Sequence, residues 1–209
     1  MELEAFKSEY YFFEPKLFGR IFIFVDFGNV RHWAKELWPT ENKFRYSIEV
    51  DIAKLATVCE WVKPDKKMFY YGFFPMTHEM HKSSVYRIDK ARQSGFEVKP
   101  KEIKMVPSYD EEGKYTGKHP KCNFDVEITM DILMKMPKYD TVMIFSGDSD
   151  FGSLLKYIKD KKKKVVVVCT RNIISSELEQ VADKYIPAET LAQFLVYNNK
   201  NTPPKKAEA

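Results

Sequence analysis

Val142–Asp150 reads VMIFSGDSD, an apolar run of strand length that ends in two aspartates spaced two apart. A buried strand of a parallel sheet has this continuous apolar character, because helices cover both of its faces. Arg20–Val25, RIFIFV, has the same character and ends at Asp26. Val165–Cys169 is a third such run, and Lys67–Phe74, KMFYYGFF, is a fourth strand of more mixed composition.

Between these runs lie stretches with helical periodicity or helix signals. They are expected at 29–37, at 50–62, at 77–94 with Thr77 as N-cap, at 124–136 before Pro137, at 151–162 and at 175–183. Lys184–Pro187 reads as a short edge strand and 188–196 as a terminal helix. Residues 96–106 are extended, DEEG at Asp110–Gly113 is a hairpin turn followed by a returning strand, and 118–123 is expected to be a loop. Strands alternating with helices of this length predict an α/β three-layer sandwich with a mostly parallel central sheet. Its domain is expected over 20–197. An aromatic-rich extension precedes it over 1–19, and a tail over 198–209, NNKNTPPKKAEA, has no apolar anchor and is expected to be disordered.

The 209 residues contain 44% hydrophobic and 15% aromatic residues, enough for one substantial core. A formal net charge of +4 permits nucleic acid as a partner without demanding it. Cys59, Cys122 and Cys169 form no Cys-x-x-Cys pair and are odd in number, which excludes a disulfide framework and a cysteine zinc site and predicts a reducing cytoplasm. No apolar stretch approaches the ~20 residues of a membrane span, so no membrane partner is expected.

In parallel sheets functional groups gather at the carboxyl ends of the strands, where strand order reverses. Asp26, Asp148 and Asp150 all follow strands at that edge. Asp125 begins a helix that packs antiparallel to the sheet, so it belongs to the same edge. Four converging carboxylates repel one another unless a cation neutralises them, and an all-oxygen set favours Mg²⁺ or Mn²⁺ over zinc. Such an ion supports phosphodiester hydrolysis. Each residue also has a plain structural reading, as a helix cap or a strand-end turn. Asn29 can serve as a polar support or as an N-cap. Ser146 can hydrogen-bond the acids, and Asp131 reads as a supporting or structural acid on another side of its helix.

VDFGN with Asp26 and Asn29, KCNFDVEITMD with Lys121, Asp125 and Asp131, SGDSDF with Ser146, Asp148 and Asp150, and SSELEQVADKYI resemble, in order and spacing, the LabA-like branch of the NYN domains. That resemblance runs from about Arg20 to about Leu195. It implies a PIN-like fold, a metal-dependent ribonuclease, and Asp26, Asp125, Asp148 and Asp150 as catalytic metal ligands. The alternative is a non-catalytic RNA- or protein-binding regulatory module of the same fold.

Phosphate contacts are expected from Lys121 and Arg171, which lie at the acidic edge. The run Lys161–Lys164 lies at the opposite edge, where lysines complement a helix C-terminus. Trp33, Tyr109 and Tyr115 could stack on bases, but core or surface packing is the more expected role of each. Single-stranded RNA is the expected partner, and the N-terminal aromatics offer either a cover for the fold or a homodimer contact.

Overall fold

A computed structural model describes residues 15–37 and 49–195. The four predicted inner strands form as β1 (Ile21–Asp26), β2 (Lys66–Phe73), β6 (Thr141–Phe145) and β7 (Lys164–Cys169). Flanked by β3 (Glu97–Glu102) and β8 (Lys184–Pro187), they make a six-stranded sheet in the order β3-β2-β1-β6-β7-β8. Every pairing in it is parallel. Ile21–Val25, Val142–Phe145 and Val165–Cys169 are buried throughout, as their unbroken apolar runs require. A separate two-stranded ribbon of β4 (Lys104–Tyr109) and β5 (Tyr115–Lys121) is antiparallel.

Helices cover both faces. After the short α1 (Pro15–Phe18), the expected helix at 29–37 forms as two pieces, α2 (Phe27–Val30) and α3 (Trp33–Leu37). Next come α4 (Ile52–Glu60), capped by Asp51, and α5 (His81–Gln93). Then follow α6 (Asp125–Lys135), α7 (Gly152–Asp160), α8 (Ser176–Val181), capped by Ser175, and α9 (Ala192–Leu195). α4 packs on α5 and α9 in one layer, and α7 packs on α8 in the other, as right-handed crossovers in opposite directions from β1 dictate.

Two local expectations need correction. Thr77 caps no helix, because α5 starts four residues later. His78 stacks on Phe74 with ring centroids 4.2 Å apart, and the ring of His81 hydrogen-bonds the Phe74 carbonyl, so this segment folds back before helix begins. Residues 118–121 are strand rather than loop, since β4 supplies a partner for a polar sequence. Trp33 is packed as expected, fully buried against Phe145, whereas Tyr109 and Tyr115 are exposed. The N-terminal aromatics through Phe13 and the C-terminal tail lie outside the described residues.

Candidate functional site

Strand order reverses between β1 and β6, and their carboxyl ends carry Asp26 and the loop Ser146-Gly147-Asp148. Asp148 caps the 3₁₀ turn Ser149–Phe151 that leads into α7: its Oδ1 accepts from the Asp150 N–H at 3.0 Å. Its own N–H donates to Oγ of the fully buried Ser146 at 3.3 Å. Gly147 is obligatory here, because a Cβ would stand 2.3 Å from the Cys169 Sγ. The third acid, Asp125, opens α6, and Nδ2 of Asn123 donates to its Oδ2 at 2.9 Å.

Asp125, Asp148 and Asp150 each bring one carboxylate oxygen within 4.8 Å of the others. Asp26 stands outside this threesome yet close enough to feel it. Burial, and then the charges of Asp125 and Asp148, push its carboxyl up to about 6 against the hydrogen bond from the Asn29 N–H. Asp125 is also raised, by burial and then by Asp148 and Asp150. Several acids elsewhere have cations. Asp131 pairs with Lys135 and Lys99, Asp140 with Arg20 and Lys163, and Asp183 with Lys159 and Lys164. Among the described residues none of the four edge acids has an ion-pair partner. This donor set, hard oxygens with uncompensated negative charge, fits a divalent cation such as Mg²⁺ or Mn²⁺.

Asn29 is fixed by its surroundings. Its Oδ1 accepts from the indole of Trp33 at 3.3 Å and from the Gly147 N–H at 3.4 Å, tying α2 to the β6 loop. Both partners are donors, so the amide orientation follows, with Oδ1 toward them and Nδ2 the end that can donate. Asp131 is turned away from the edge. It accepts from the Tyr70 hydroxyl at 2.6 Å and from Lys135, which pull its carboxyl below the usual range despite burial.

Lys121 ends β5, two residues before Asn123, and is exposed. Arg171 follows β7 at the same sheet edge but lines a hollow with Ile174, Glu179, Tyr185 and Pro187 that contains none of the four acids. Sequence reasoning missed Asn123 as the partner of Asp125 and Trp33 as the group that orients Asn29. Their signals were the short spacings, two residues to Asp125 and four from Asn29, but local spacing alone cannot show a side chain's direction.

The model of the NYN domain family matches residues 20–191. Low amplitude and bright protein LabA of Synechococcus elongatus is 28% identical over 100 residues, covering 48% of this chain and 54% of that protein. The chain thus aligns with about half the length of that curated relative. A crystal structure of VPA0982 from Vibrio parahaemolyticus, a protein of unknown function, superposes with a TM-score of 0.59 at 22% identity, covering 88% of this chain and 100% of that one. A six-stranded parallel sheet reversing at β1/β6, four motifs in the family's order and a family match across nearly all the described residues lead to one assignment: this chain belongs to the NYN domain family, in its LabA-like branch, with a PIN-like fold.

Proposed function

We propose that this protein is a metal-dependent ribonuclease that hydrolyses phosphodiester bonds in RNA. The observation that carries this reading is the approach of carboxylate oxygens of Asp125, Asp148 and Asp150 within 4.8 Å, with no cation paired to any of them among the described residues. The NYN domains belong to a PIN-like superfamily of nucleases, and the choice of RNA over DNA rests on that membership.

Asp125, Asp148 and Asp150, with Asp26 beside them, would hold Mg²⁺ or Mn²⁺. Such an ion supplies Lewis-acid polarisation of the phosphodiester and a bound water of lowered pKa. The chain's own groups do the positioning. The Asp150 N–H holds Asp148 Oδ1, Asn123 holds Asp125 Oδ2, and the Asn29 N–H holds Asp26 Oδ1. Each of these bonds fixes one carboxylate oxygen, and the carboxylates would supply oxygens to the cation or to the attacking water. Asn29 Nδ2 donates to a phosphate oxygen, and Ser146 keeps the Asp148 backbone in place. Lys121 and Arg171 serve as phosphate contacts, and Asp131 as a structural support.

The test is cleavage of a labelled single-stranded RNA with Mg²⁺ or Mn²⁺ by the wild type and by Asp148→Asn, with circular dichroism of both. Loss of cleavage in a folded variant is expected. Cleavage that persists unchanged in the variant would place the activity elsewhere, and none by either protein would favour a binding module over an enzyme.

A further inference from the structure

The β4/β5 ribbon stands apart from the central sheet and offers a surface that the protein's own packing does not use. Tyr109 and Tyr115 are 63% and 54% exposed. They are cross-strand neighbours after an irregularity at Ser108/Tyr109, and their rings meet edge to face at 6.0 Å. Each ring therefore leaves a face open to solvent, next to the turn that Asp110 closes by accepting from the Glu112 and Lys114 N–H groups.

The ribbon's charges are also unspent. Lys99 and Lys101 of the adjoining β3 are both ion-paired, to Glu97 and Asp131 and to Glu127. By contrast, Lys104, Lys114, Lys118 and Lys121 of the ribbon are exposed and have no ion-pair partner among the described residues. Lys104 and Lys121 lie directly opposite each other at the ribbon's base, an arrangement that costs stability unless an anion sits between or beside them. That base adjoins the acids: Asn123, two residues on, is the hydrogen-bond partner of Asp125. From Lys121 to Tyr115 the ribbon extends about 20 Å, at about 3.4 Å per residue.

A protein strand added to either ribbon edge is disfavoured by Pro107 in β4 and Pro120 in β5, which remove backbone donors. Recognition through side chains remains, and exposed aromatic faces with lysines are the groups that take an unpaired nucleic-acid strand. The period-two register puts Lys118 and the tyrosines on one face and Lys104, His119 and Lys121 on the other. Both strands of a two-stranded ribbon are edges, so the long lysine side chains of one face can bend round the edge toward a strand running along the other.

We infer that the β4/β5 ribbon is the arm that holds single-stranded RNA as it leads to the carboxylates. Tyr109 and Tyr115 stack on bases, and Lys104, Lys118 and Lys121 hold phosphates. This rests on the nuclease reading for the destination of the strand, although binding is measurable without cleavage.

Asp148→Asn protein is titrated into a fluorescein-labelled single-stranded RNA and anisotropy is followed, so that substrate is not consumed. Adding Tyr109→Ala and Tyr115→Ala weakens binding about tenfold or more, and Tyr109→Phe with Tyr115→Phe restores it, because Phe keeps the stacking face. Adding Lys104→Ala and Lys121→Ala lowers the slope of log K against log salt by about 1.4, at about 0.7 per phosphate contact. Affinities unchanged by the alanine variants, in chains whose circular dichroism is intact, overturn the arm. If wild type still cleaves in that case, the nuclease reading survives alone. Weakened binding in a protein that never cleaves keeps the arm and removes the hydrolysis.

Discussion

A buried carboxyl near other acids keeps its proton to higher pH, and Asp26, raised first by burial and then by Asp125 and Asp148, does so to about 6. Its ordinary value is 3.8, so the folded state binds the proton more tightly than the unfolded chain does. The sign follows: without metal, stability falls as pH rises from about 4 to about 6, by on the order of 3 kcal/mol for this group. Urea unfolding in EDTA at pH 4.5 and pH 7 checks this. Asp26→Asn is expected to flatten the loss, and an unaltered pH dependence in that variant would assign it to other groups. Gly147 makes a second residue-scale case. Gly147→Ala drives a Cβ into the Cys169 Sγ and is expected to cost about 1–3 kcal/mol, seen as a lower midpoint in urea. Adding Cys169→Ala returns part of that loss, because the closest clash is with the sulfur; no recovery would mean that Ile173 is the real obstacle.

At the scale of elements, α6 serves two masters. Its first residue faces the acidic edge, while Ile128 and Ile132 are buried and Asp131 receives the Tyr70 hydroxyl from β2. Asp131→Asn is therefore expected to lower unfolding free energy by about 1–3 kcal/mol and to leave Mn²⁺ affinity within about twofold, measured by calorimetry. A large loss of metal affinity would make Asp131 a ligand after all. Six residues separate it from Asp125, about 600° of helix rotation at 100° each, so its different facing was legible in the sequence. So were the inner strands, whose apolar runs leave no alternative, and β8, which occupies its expected bounds. The ribbon was less legible. A sequence such as KHPK becomes strand only because β4 lies beside it, and such pairing is not a local property. The N-terminus of α5 was misread for a related reason: Phe74 draws His78 and His81 back onto itself.

For the molecule as a whole, the cation is expected to act as part of the fold. It would tie β1, the β6 loop and α6 together, and it would bind the native state alone because the unfolded chain cannot assemble the acids. At 100 times its Kd, Mn²⁺ should add about 2.7 kcal/mol, or roughly 5–10 °C in Tm for a chain of this length. Scanning calorimetry with and without Mn²⁺ measures the shift, which Asp148→Asn should largely abolish; equal shifts in both proteins would point to binding elsewhere. The amino-acid sequence by itself determined the α/β alternation, the parallel strands and the edge on which each acid lies, because these follow from apolar runs, caps and chain direction, all local quantities. Only the tertiary structure decided that three of the four acids crowd within 4.8 Å while Asp26 stands to one side, that Trp33 is spent on orienting Asn29, and that the ribbon tyrosines face solvent. Those outcomes depend on strand order, side-chain reach and neighbours far apart in the chain, and no short stretch of sequence encodes them.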